Sequence, residues 1–109
     1  IMGIVGRPGL IGYSASKGAL IAAVHSMALE LAPKNIRVNL VSPGTIMTKM
    51  IENALKNMEE DQRNKRLNDY PLGFGTPEDI ANIVIFLLSD RSKWITGSNI
   101  IIDGGYTSK

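Results

Sequence analysis

From residue 14 to residue 31 the chain is apolar around nearly the whole helical wheel, and only Lys17 and Glu30 carry charge. A helix of that kind is covered on more than one side. In so short a chain this implies a sheet against one face and another subunit against the other. Gly3, Gly6, Gly9 and Gly12, with Pro8 among them, precede it as an irregular loop. Pro33 and Asn35 end the helix. Ile36, Val38 and Leu40 then alternate in part with Arg37, Asn39 and Val41. Residues 36–41 are therefore predicted to form a strand with one polar Asn turned toward a neighbour, stopped by the breaker Ser42-Pro43-Gly44.

Beyond that breaker, Thr45 or Thr48 can cap a second helical region reaching about Asp69. Met50, Ile51, Leu55, Met58 and Leu67 give it a thin apolar stripe. Its polar, Met-containing makeup suits either a mobile lid or a plain surface helix. Thr76-Pro77-Glu78-Asp79 is a stronger start signal: a Thr N-cap, Pro in the first turn and two acids against the positive end of the dipole. Ile80, Ile83, Val84, Leu87 and Leu88 follow at the spacing of one buried face. Residues 98–103 read as a final strand closed by Gly104-Gly105. Helix and strand alternate, the pattern of an α/β layer fold with a parallel sheet.

Composition narrows the class. The 109 residues, 44% hydrophobic and 20% charged, amount to about one small domain. The net charge of +2 is scattered, and no basic stripe interleaves with aromatics, so nucleic acid is not an expected partner. No apolar run approaches the roughly 18 residues that span a bilayer. A membrane is not an expected partner either. The absence of cysteine removes disulfides, thiolate metal sites and a cysteine nucleophile together, and fits a cytoplasmic setting.

Candidate chemistry centres on Tyr13 and Lys17 in Tyr13-Ser14-Ala15-Ser16-Lys17. At i and i+4 they share one helical face, where an ammonium favours the ionised phenol and fits it for proton transfer. Gly3, Gly6 and Gly9 invite a dinucleotide-fingerprint reading, which fails because no strand precedes them and Glu30 falls near a helix end. His25 reads as a satisfied core or interface histidine, and Asp103, a carboxylate without companions, as a turn residue. No metal site is expected.

With these pieces in order, the sequence resembles the C-terminal half of the short-chain dehydrogenase/reductase family, in its 3-oxoacyl-carrier-protein reductase and sugar-alcohol dehydrogenase flavour. Four stretches carry the resemblance: Tyr13 to Lys17 with Gly18-Ala19-Leu20; Ile36-Arg37-Val38-Asn39 leading to Ser42-Pro43-Gly44 and Thr48; Pro77-Glu78-Asp79-Ile80-Ala81; and Ile95-Thr96-Gly97 with Asp103-Gly104-Gly105. The fold so implied is α/β, the last two strands and flanking helices of a Rossmann-like doubly wound parallel sheet.

The resemblance implies roles residue by residue. Tyr13 is the acid/base that exchanges a proton with a carbonyl or alcohol substrate, and it also borders the cofactor. Lys17 assists it and holds the ribose of an NAD or NADP cofactor. Pro43 and Gly44 open the loop over the nicotinamide, the Ile46 backbone meets the carboxamide, and the Thr48 hydroxyl contacts the cofactor or caps a helix. A homo-oligomer, tetramer or dimer, is implied.

The family's glycine-rich turn, its NAD/NADP-selecting residue and its Asn-Ala-Gly segment match nothing in residues 1–109, which correspond to the C-terminal portion of one NAD(P)-binding domain. Counting back the family's spacing from Tyr13 puts its catalytic Ser just before Ile1. The segment alone is therefore expected to be inactive, with an uncovered strand edge and apolar helix faces. The alternative is a non-catalytic association module of the same fold.

Overall fold

The computed structural model describes residues 1–108. After an N-terminal stretch of turns, helix α1 runs Ile11–Leu31 and closes through a 3₁₀ turn, Ala32–Lys34. Asn35, at φ 58°, takes the left-handed position that ends the helix. Strand β1 is Leu40–Pro43, helix α2 Lys49–Lys56, helix α3 Glu60–Asn68, helix α4 Pro77–Leu88 and strand β2 Asn99–Ile102. β1 and β2 pair in parallel, Leu40 opposite Asn99 through Pro43 opposite Ile102. The α/β layer with a parallel sheet is as the sequence implies.

The first strand lies further along than residues 36–41. Its ladder is entered by the Leu40 N–H to the Ser98 carbonyl and left by the Gly44 N–H to the Ile102 carbonyl, both 2.8 Å. Donors to β2 thus fall on even-numbered residues, and the proline nitrogen of Pro43 faces the outer edge, where its missing N–H costs this pairing nothing. Residues 36–39 are drawn out of the ladder by other partners. The Arg37 guanidinium donates to the carbonyls of Leu87 (2.6 Å), Ile95 (3.2 Å) and Ser89 (3.4 Å). The Asn39 amide donates to Ile95 (2.9 Å), and its oxygen accepts from the Ser98 N–H (3.1 Å). The polar Asn does face a neighbour, from just outside the strand.

α1 is the apolar helix expected over residues 14–31. Val24 and Ala28 are its buried residues, while Ile11 is 87% and Leu29 79% exposed. The described residues cover one face, and the rest of this apolar helix is open. His25 is exposed with it and belongs to no core.

The region after Thr48 is two helices, not one. The Thr48 hydroxyl accepts from the Ile51 N–H (3.4 Å) as the cap of α2. The break at residues 57–59 lets Glu60 and Asp61 occupy the first turn of α3, with Lys65 and Arg66 in its last, each sign at the end its dipole favours.

α4 begins as its sequence dictates. Thr76 and Asp79 form a reciprocal capping box, the Thr76 N–H donating to the Asp79 carboxylate at 2.6 Å. Those bonds hold the Asp79 carboxyl below its ordinary pKa. Asp103 is the turn residue expected: its carboxylate accepts from the Gly105 N–H (2.9 Å), the Thr107 N–H (2.8 Å) and the Thr107 hydroxyl (2.7 Å). Burial pushes its pKa up, but these donors outweigh burial and leave it below the usual carboxylate value.

Carboxyls depressed on folding stabilise above their unfolded pKa, and that stability is lost as pH falls through the folded value. Stability should therefore hold from neutrality to about pH 4 and fall below it. Asp103→Asn should flatten part of that fall in denaturant titrations taken pH by pH. An unchanged acid limb in the variant would remove Asp103 from the explanation.

Candidate active site

In open α/β sheets, ligands bind beyond the carboxyl ends of the strands. Among the described residues, a cleft of about 950 Å³ is lined by Leu40 to Pro43 of β1 and by Gly44 and Thr45 beyond its end. α1 contributes Tyr13 and Lys17, the strand end contributes Pro43, Gly44 and Thr45, and one face of α3 forms the far wall. The helical spacing places the Lys17 Nζ 5.3 Å from the centroid of the Tyr13 ring. Tyr13 is 53% exposed, so its ring is reachable from solvent. The N-terminal loop is pressed against this part of α1: a Cβ added to Gly3 would lie 2.6 Å from the Lys17 carbonyl carbon.

Gly44 is needed for closeness rather than for an unusual backbone angle. A Cβ there would stand 2.8 Å from the Asp103 Cα and 3.1 Å from the Tyr70 ring. The loop after β1 is then held by Gly75, whose carbonyl accepts from the Met47 N–H (2.7 Å) and whose N–H donates to the Thr45 carbonyl (3.1 Å). In this parallel bridge between Ile46 and Gly75, the N–H and C=O of Ile46 itself point away from Gly75. Ile46 lines a smaller adjoining pocket of about 360 Å³, shared with Gly44 and Thr45.

Of the residues singled out from sequence, the fold brings Tyr13, Lys17, Pro43 and Gly44 into one cleft. Ile46 sits in the adjoining pocket, and Thr48 lines neither, being exposed at the start of α2.

Sequence reading missed an aromatic cluster beside the strand ends. Tyr70 is buried, packs edge-on to Phe74 (5.0 Å between centroids) and against Tyr106 (4.7 Å), and its hydroxyl shares a 2.7 Å hydrogen bond with that of Thr45. Three of the chain's six aromatic residues meet here, and the contact of Tyr106 with Tyr70 comes from across the sequence, where no local pattern announces it.

The family model described as enoyl-(acyl carrier protein) reductase matches residues 1–107. The 3-oxoacyl-(acyl-carrier-protein) reductase of Thermotoga maritima is 46% identical over 106 residues, covering 96% of this chain and 42% of that protein. The chain belongs to the short-chain dehydrogenase/reductase family.

Its similarity to other members differs little. The protein named inactive 2-(S)-hydroxypropyl-CoM dehydrogenase 2 of Xanthobacter autotrophicus is 41% identical, with 99% of this chain and 48% of the relative covered. The solved structure of 4-hydroxyisoleucine dehydrogenase complexed with NADH superposes with a TM-score of 0.91 at 38% identity, over 99% of this chain and 44% of that one. The chain thus spans less than half the length of the family members it matches. Among the described residues no helix is long and apolar enough to cross a membrane.

Proposed function

We propose that this chain is the C-terminal part of an NAD(P)-dependent oxidoreductase that interconverts small carbonyl and alcohol compounds, with Tyr13 as acid/base and Lys17 assisting. The observation that carries the reading is the joint lining of one cleft by Tyr13, Lys17, Pro43 and Gly44 at the carboxyl end of β1.

The residues present suit a nicotinamide nucleotide. The peptide N–H and C=O of Ile46 take part in no hydrogen bond among the described residues, which leaves a donor and an acceptor side by side, the complement of a carboxamide. Pro43 and Gly44 would bound the cofactor's ring end, Lys17 would hold its ribose hydroxyls, and Thr48 still has a hydroxyl proton to donate. When bound, the cofactor supplies or accepts the hydride.

This chain's own part is the proton. In the reductive direction the Tyr13 O–H gives its proton to the carbonyl oxygen, and in the oxidative direction the phenolate removes it from the alcohol. In this reading the Lys17 ammonium, 5.3 Å from the centre of the Tyr13 ring, is the group that assists the transfer.

Residues outside 1–109 complete the cofactor cradle in this reading, and the 109-residue segment alone is inactive. The setting is cytoplasmic, in keeping with the absence of cysteine. The assembly is a homo-oligomer, dimer or tetramer, which would cover the open face of α1.

A second reading, a non-catalytic association module, is favoured by that same exposed face and by the 41%-identical relative that bears the name inactive. Titration with NADH and NADPH, followed by a ketone and aldehyde panel, separates the two in the full-length product containing this segment. Saturable nucleotide binding with turnover is expected. A folded product that binds neither nucleotide would leave only the association module. The segment alone should show no saturable binding.

A further inference from the structure

We infer that the substrate of this cleft is a small carbonyl or alcohol compound bearing an anionic group, held by Lys65 and Arg66 of α3. The inference rests on the cleft being the reaction site and adds the charge of what it takes. The cleft is lined by Gln62, Lys65 and Arg66 of α3 and by Asp69 at its C-cap. Their spacing of i, i+3, i+4 and i+7 is one stripe of a helix. A helix that covers an apolar substrate turns its apolar stripe inward. α3 turns an amide, an ammonium and a guanidinium toward the cleft, and its one large apolar residue, Leu67, does not line it.

The balance of charge is one-sided. Arg7, Lys17, Lys65 and Arg66 line the cleft against the single side-chain carboxylate of Asp69. Among the described residues, no ion pair or side-chain hydrogen bond engages Arg7, Lys65 or Arg66. Arg66 is half-buried, so its charge is not simply offered to bulk water. Uncompensated cations on the wall of a concavity focus positive potential into it and concentrate anions there. Arg66 suits a carboxylate, sulfonate or phosphate through two parallel N–H donors, and Lys65 adds a point charge one residue away. Lys17 is already assigned to the reacting end, so the α3 pair is free to fix the opposite end of the molecule.

The test uses the full-length product and matched ketones differing only in charge: 4-oxopentanoate and acetoacetate against their methyl esters. The 2-oxopropyl sulfonate and phosphonate serve as further arms to identify the preferred anion. kcat/KM for an anion should exceed that for its ester by about tenfold or more, and added salt should erode the advantage. In the double variant Lys65→Gln, Arg66→Gln the anion-to-ester ratio should fall by roughly tenfold per lost charged contact, through KM. Arg63→Gln, on α3 but outside the stripe, should leave the ratio unchanged.

Equal or better use of the esters would overturn the inference, as would a double variant that slows anion and ester alike or that weakens NADPH in direct titration. If no ketone turns over, the oxidoreductase reading itself fails. Calorimetric binding of 4-oxopentanoate against its ester then still decides whether the cleft prefers the anion.

Discussion

Tyr13→Phe in the full-length product is expected to lower kcat roughly 100- to 10,000-fold, the usual worth of a positioned acid/base. The substitution removes one oxygen and keeps the ring over which the Lys17 ammonium sits 5.3 Å from the centroid. α1 should therefore be undisturbed, since Tyr13 is half exposed and fills no core position. Nucleotide affinity, read by fluorescence titration, should change little. Lys17→Met makes a contrasting partner: it should weaken nucleotide binding as well as kcat, because the same ammonium is assigned to the ribose and to the phenol. Full activity of Tyr13→Phe would remove the tyrosine from the chemistry, and a Lys17→Met variant with intact nucleotide affinity would confine Lys17 to proton transfer.

The largest expected effect on stability lies away from the cleft, at Arg37. Its guanidinium reaches the Leu87 and Ser89 carbonyls at the end of α4 and the Ile95 carbonyl on the way into β2. The last carbonyls of a helix have no partner within it, and a cation there also opposes the negative end of the dipole. Ser92, fully buried, shares the work, its one hydroxyl proton divided between the Leu87 and Ser89 carbonyls, each 2.9 Å away. Arg37→Met takes a charged donor from each of these carbonyls, leaving them only Ser92 and Asn39 as partners, and should cost about 1–3 kcal/mol. Arg37→Lys should recover only part of this, because an ammonium cannot spread donors over three carbonyls as the planar fork does. The check is the urea midpoint at constant slope, and an unmoved midpoint in Arg37→Met would refute the clamp.

The Arg37 clamp also marks where sequence reading stops. The partial alternation of residues 36–41 made a strand there, because β-branched residues at period two carry the same signal in or out of a ladder. What displaced the strand to Leu40–Pro43 is a set of bonds to residues fifty or more positions away, which no local window contains. Pro43 looked like a stop for a similar reason. Its nitrogen faces away from β2, so the missing N–H costs that ladder nothing, a matter of register that only pairing with β2 defines. Caps behaved differently: Thr76 and Asp79 declared α4 from four consecutive residues, since a capping box is made by neighbours in sequence.

The site divides along the same line. Tyr13 and Lys17 were legible because helical spacing alone puts them on one face, and the loop at Pro43-Gly44 because glycine and proline mark a strand end. Sequence by itself therefore determined the α/β order of elements, the start of α4, the Tyr13–Lys17 pair and, through four short signatures, the family. Tertiary structure alone decided that Tyr70, Phe74 and Tyr106 meet, that Gly44 must be bare beneath Asp103, and that α3 turns its cations rather than its leucine to the cleft. The reason is physical. Caps, helical faces and turns are fixed by bonds among near neighbours, whereas packing and the lining of a cavity depend on which distant surfaces the chain brings into contact.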